Sequence, residues 1–240
     1  METISCDVCG EASNTALFCQ YDLTHHVTDD LFTVVRCQGC RLLFLNPRPT
    51  REEIGGYYPS TYYPEAAPRQ AGDLRRTAKR WSGKIRRWIA QDFYGYPAPE
   101  SARRWQWARR LLLWPEFLWR RWRGRGLLPW AGQGRVLDVG CGSGGNLAVL
   151  QEQGWKVSGV DASAVAVAQA QARFGERVRQ GDLASMAYQE RTFDTVLFSH
   201  VLEHLHDPLS LLKEVWRILD WEGRVVILCP TAGSLEARMF

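Results

Sequence analysis

The chain has 240 residues, 45% hydrophobic and 23% charged, a balance that fits a folded globular protein and excludes a disordered one. No apolar run approaches the ~18 residues of a membrane-spanning helix, and the stretch from Met1 to Cys6 lacks the basic and apolar parts of a secretory leader. A cytoplasmic location is expected, at most peripheral to the inner face of the membrane, so the seven cysteines point to metal or free thiols and not to disulfides.

The net charge of +4 is spread unevenly. Residues 69–125 hold sixteen basic residues against Asp73, Asp92, Glu100 and Glu116, a net +12 that leaves −8 for the rest. Three parts follow: 1–68, a basic middle of 69–130, and 131–240.

Residues 1–68 carry five of the cysteines. Cys6-x-x-Cys9 and Cys37-x-x-Cys40 form two knuckles with 27 residues between them. Two-residue spacing lets each pair bite one ion from a tight turn, and four thiolates suit tetrahedral Zn2+. A shell closed by four protein ligands makes the zinc structural. Short β-branched runs such as 32–35 and the turn Pro47-Arg48-Pro49 complete a small zinc ribbon. Cys19, His25 and His26 fall between the knuckles as spare candidates.

In the middle part, Trp81, Trp88, Trp105, Trp107, Trp114, Trp119 and Trp122 interleave with arginines. The first reading is a helical lid over a substrate site, with Trp packed on the core and Arg in water. An anionic membrane surface comes second, and nucleic acid last.

From 131 onward, apolar strand-like runs alternate with helical patterns, which predicts an α/β protein with a parallel, doubly wound sheet. Strands are expected at 135–139, 156–161, 178–182, 194–199 and 224–228. Asp207 and Pro208 open a helix as N-cap and first residue, and its apolar positions keep a 3.6-residue period. Cys141 and Cys229 are expected to be small apolar fillers of this core.

The run Val136 to Gly145 joins the first strand to a helix through Gly140, Gly142, Gly144 and Gly145. Glycines let backbone approach a ligand, and a helix N-terminus offers unpaired N–H groups. Gly140, Gly142 and Gly145 satisfy the spacing of a dinucleotide fingerprint, with Asp161 twenty-one residues on. Asp138, however, would repel a pyrophosphate and favour a cation. S-adenosyl-L-methionine carries a sulfonium and an amino group and no phosphate.

With these residues in place, 131–230 resembles the class I S-adenosylmethionine-dependent methyltransferases. Gly181-Asp182-Leu183 after the third strand and Phe193-Asp194 entering the fourth belong to the same likeness. The fold implied is a Rossmann-like methyltransferase sheet. The likeness implies that Gly140, Gly142 and Gly144 line the methionine moiety beside Asp138. By the same likeness, Asp161 accepts from the ribose hydroxyls and Asp182 meets the adenine amino group, with the Leu183 N–H on the ring. The stretches 40–50, 57–64 and 234–240 are similar to bacterial methyltransferases that modify sugars and polysaccharides, which implies a small, sugar-type acceptor. An RNA methyltransferase and a non-catalytic cofactor-binding remnant are the alternatives. His200, just past the fourth strand, is the candidate general base; Glu203 and His204 are expected to be structural. Those relatives continue through two further strands, so a partial sheet of about five strands is expected here, its outer edge open to self-association.

Overall fold

The computed structural model describes residues 1–22, 27–57, 74–122 and 127–230, with side chains in the first helix described from residue 83. His25, His26, most of 57–64, the boundary at 68/69, the Trp81 side chain and 234–240 lie outside the described residues.

The N-terminal part is an antiparallel sheet of β1 (Asn14–Tyr21), β2 (Leu31–Cys37) and β3 (Leu43–Leu45), in that order. The register sets Asn14 opposite Cys37, so the turns at both ends of the sheet's cysteine side converge. Asn46 ties β3 back to the N-terminus, its side chain bonding both the N–H and the carbonyl of Ile4 at 3.1 Å.

The basic part contains α1 (Leu74–Phe93), the short α2 (Glu100–Arg103) and α3 (Gln106–Trp122). Asp92, fully buried, is gripped by Arg109 through two bonds of 2.8 and 3.0 Å and joins α3 to α1. Phe93 stacks on Phe117 across the same seam. Tyr96 fastens the pair to the core: its hydroxyl accepts from Trp155 Nε1 at 2.8 Å and donates to Gln153 at 2.9 Å. The expected arrangement, Trp inward and Arg outward, is reversed on α3. Trp107 and Trp122 face solvent, whereas Arg109 and Arg120 are partly covered. A buried carboxylate at Asp92 accounts for the inversion, because it needs a guanidinium beside it.

The remainder is a parallel five-stranded sheet in the order β6-β5-β4-β7-β8. Its strands are β4 (Arg135–Val139), β5 (Lys156–Asp161), β6 (Val178–Gln180), β7 (Phe193–Ser199) and β8 (Leu219–Leu228). Between them run α4 (Gly145–Glu152), α5 (Ala164–Phe174) and α6 (Pro208–Ile218). Period-two alternation sends Val136 and Leu197 to one face, against Leu147 and Ala170, and Leu137, Val196 and Phe198 to the other, against Val215 and Ile218. Helices therefore cover both faces. Asp207 caps α6 by accepting from Ser210 N at 3.0 Å, with Pro208 at the first position.

β8 differs from expectation in its length. It is longer, because residues 220–223 bulge between the pairs Phe193–Leu219 and Thr195–Arg224. Arg135 holds this bulge, bonding Asp220 at 2.7 Å while its other bonds go to Asp194 and the Arg191 carbonyl. Among the described residues β8 is an edge strand, as expected, with Val225, Ile227 and Leu228 exposed. Cys141 is buried as expected, but Cys229, just past the strand, is exposed and fills no core.

Candidate cofactor and metal sites

The carboxyl ends of β4, β5 and β7 meet at one edge of the sheet. β4 runs into Gly140, whose N–H donates to Val160 O at 2.7 Å, so the chain turns over the end of β5. Gly140, Gly142 and Gly144 all have positive φ, of 73°, 53° and 85°. Their reasons differ. A Cβ on Gly140 would strike Val201, and one on Gly144 would strike Phe174; at Gly142 it would meet nothing within 4 Å. Gly142 is thus the bare point of the loop, and Gly144 is the N-cap of α4.

Asp138 is the unusual residue. Its carboxylate is fully buried, and neither oxygen has a hydrogen-bond partner. Burial raises its pKa to about 7; the Asn146 side chain offsets part of this without reaching hydrogen-bond geometry, and the charge of Asp161 adds to the rise. A buried acid left without a partner is costly, and a cationic group beside it would relieve the conflict.

Asp161 ends β5. One oxygen accepts from Gly142 N and the other from Ser163 N, both at 2.8 Å. Each oxygen keeps a second lone pair for a diol. The same bonds lock the glycine loop to the end of β5. Asp182, after β6, is exposed and caps a 3₁₀ turn through Ser185 N at 2.7 Å, while Leu183 is buried in the core. Gly142 bonds Asp161 directly and Gly140 bonds the end of β5, while Asp138 lies two residues before Gly140 on β4. Asp182 and Leu183 lie just past the end of the adjacent strand, β6.

His200 follows β7 in the left-handed region, with φ of 57°. Its N–H bonds Leu228 O at 2.8 Å, and its exposed ring sits 3.5 Å from Glu203. Since Val201 packs against Gly140, His200 is one residue from a direct contact with the glycine loop. Non-glycine residues in this backbone region are costly and concentrate at functional sites. An open groove of about 630 Å³ lies nearby, lined by Asn146, Leu197, Val226 and Leu228 together with Arg120 and Arg121.

At the other end of the chain the two knuckles are built alike. Cys6 N donates to Glu11 O and Gly10 N to Cys6 O; Cys37 N donates to Leu42 O and Arg41 N to Cys37 O. Gly10 and Arg41 occupy equivalent positions with φ of 75° and 67°. The four sulfurs lie within 4.8 Å of one another, with Cys6–Cys40 and Cys9–Cys37 both at 3.5 Å. Tetrahedral zinc at the usual bond length would set them ~3.8 Å apart. Cys37 is lowered to about 7, chiefly by the Cys40 N–H. The Leu42 N–H favours a Cys40 thiolate, yet desolvation and the three neighbouring thiols push Cys40 up to about 12. Four sulfurs this close together form a donor set that fits a divalent, sulfur-seeking cation. Cys19 lies on β1, bonded to Thr33 at 3.3 Å and outside the cluster.

Sequence reasoning had no signal for one contact. His206 Nε2 meets Pro49 O at 2.9 Å, and Arg48, which also bonds Glu2 and Asp7, donates to His206 O at 3.3 Å. The loop after β7 is thereby tied to the cysteine-bearing part. Residues 157 positions apart show no local pattern.

A parallel sheet of this order, helices on both faces and a glycine turn at the end of its central strand define a Rossmann-like methyltransferase fold. Residues 137–227 match the family model described as a methyltransferase domain. The chain is 30% identical over 96 residues to a probable S-adenosylmethionine-dependent methyltransferase of Mycolicibacterium smegmatis, covering 40% of this chain and 37% of that protein. It is 33% identical over 106 residues to the ubiquinone/menaquinone biosynthesis C-methyltransferase UbiE of Desulfotalea psychrophila, covering 42% and 43%. A solved S-adenosylmethionine-dependent methyltransferase from Archaeoglobus fulgidus is 26% identical, with 55% of each chain covered and a TM-score of 0.41. The chain spans less than half the length of these curated relatives.

Proposed function

We propose that the protein binds S-adenosyl-L-methionine at the ends of β4 and β5 and directs methyl transfer to a small, sugar-type acceptor. The observation that carries this reading is Asp138, buried and unpartnered behind the bare Gly142 turn. That setting suits the cationic end of the ligand and disfavours a pyrophosphate. Asp161 would hold the ribose hydroxyls, and Gly140, Gly142 and Gly144 the methionine portion. Asp182 and the Leu183 N–H would hold the adenine. The cofactor supplies an electrophilic methyl group; the chain's own residues align the acceptor and exclude water. His200 would take the acceptor hydroxyl's proton, with Glu203 steadying the imidazole ring from 3.5 Å. Zn2+ held by Cys6, Cys9, Cys37 and Cys40 would be structural. The sugar-type acceptor rests on the likeness of residues 40–50, and self-association through β8 on its exposed apolar edge.

Calorimetry tests the reading. S-adenosylmethionine or its demethylated product should bind, and Asp161→Ala should cost about 1–3 kcal/mol through lost charge-assisted bonds. Binding of NADH in place of either ligand would overturn it.

A further inference from the structure

The α3 helix is amphipathic in the reverse sense. At 3.6 residues per turn, Trp107, Leu111, Leu112, Pro115, Leu118 and Trp122 fall on one arc of about 140°. All six are exposed, Leu111 by 72%, Leu112 by 76% and Trp122 by 84%. The opposite side holds buried Leu113 and the Arg109 that grips Asp92. The single acid of α3, Glu116, is paired with Arg120 at 2.8 Å. Arg110 and Arg121 are exposed on α3, Arg103 and Arg104 just before it and Arg86 and Arg87 on α1, with Arg86 and Arg121 also lining the groove beside β8. A contiguous outward stripe of Trp and Leu, in a segment whose exposed arginines outnumber its one exposed acid, Glu100, does not arise from core packing.

We propose that this face docks the protein on an anionic lipid surface. α3 would lie in the plane of the interface, its Trp and Leu side chains at the headgroup–acyl boundary and the arginines against lipid phosphates. Among the described residues no helix is long and apolar enough to cross a membrane, so the helix lies on the surface and does not span it. Charge complementarity selects this occupant. A two-fold contact between copies would set arginine-rich segments against each other with only Glu100 as an exposed acid among the described residues 83–122 to offset them. Nucleic acid would meet the arginines, but Leu111, Leu112, Pro115 and Leu118, four of the six residues on the arc, offer neither charge nor a stacking plane. The inference stands independently of methyl transfer, and is measured without cofactor.

Flotation of the full chain with phosphatidylglycerol-containing vesicles, against vesicles of phosphatidylcholine alone, decides it. The protein should float with the anionic vesicles only, and rising salt should release it. Leu111→Ser with Trp122→Ser should lower partitioning by about tenfold or more. Arg104→Gln with Arg121→Gln should lower it by about 30-fold at low salt. Trp216→Ser, an equally exposed tryptophan on α6, should change nothing. These side chains all face solvent, so an unchanged melting temperature verifies the fold of each variant. Equal binding to both vesicle types, or undiminished binding in both double variants, overturns the proposal. So does a dimer that Leu111→Ser with Trp122→Ser dissociates in a protein that ignores vesicles, or RNA binding without vesicle binding.

Discussion

Asp138 sets burial and charge against each other most sharply. With its pKa raised to about 7, the folded protein retains a proton that the unfolded chain releases near 4. Between those values the unfolded state binds fewer protons, so stability falls as pH rises. Asp138→Asn should remove that slope: its melting temperature should exceed the wild type's above about pH 7 and match it below about 4. The same variant should bind S-adenosylmethionine more weakly, since the amide carries no charge for the sulfonium end. Thermal melts across pH, with and without ligand, separate the two effects; a pH slope unchanged in the variant would remove Asp138 as its source. For His200, the expected result is a loss of about 10²–10⁴ in kcat for His200→Ala with cofactor affinity retained. A variant with full activity would leave His200 only its backbone role at the end of β7.

At the scale of elements, the knuckles are the least self-sufficient part. β1 is exposed along most of its length, and among the described residues of the first fifty only Cys6, Val35, Cys37 and Pro49 are both apolar and buried. So small a core requires a staple. Metal analysis should return one zinc per chain. Cys37→Ser should lose that zinc and collapse the β1–β3 sheet, seen as rapid amide exchange there, while the β4–β8 sheet stays protected. Zinc-free protein with an intact three-stranded sheet would contradict the metal assignment. β4 and β7 behave differently, since helices cover both their faces and no cofactor is needed to bury them.

At the scale of the whole molecule, the β8 edge carries an apolar strand whose outward N–H and C=O groups have no neighbouring strand among the described residues. Such edges recruit a partner strand. Concentration-dependent association should therefore appear in sedimentation, and Ile227→Lys should reduce it by placing a charge on the edge. A monomer at all concentrations would refute this. Because Ile227 and the outward face of α3 lie on different elements, the two association tests report separately.

The sequence by itself determined the sheet and the donor sets. Five strands were legible from short runs closed by turn residues, and β4 and β5 have the bounds their pattern implies, whereas β6, with one apolar residue, stops two residues short of the expected 178–182. The Cys-x-x-Cys pairs and the glycine turn were legible because their chemistry depends on local spacing. What only the tertiary structure decided is long-range. The Asp92–Arg109 pair turned α3 over and put tryptophan in water, since a buried charge outweighs the usual preference of Trp for the core. Arg48 and Pro49 joined His206 across the molecule, and Asp138 was left without a partner. A one-dimensional pattern records what each residue prefers, but not which distant group will satisfy it, and these contacts turn on that choice.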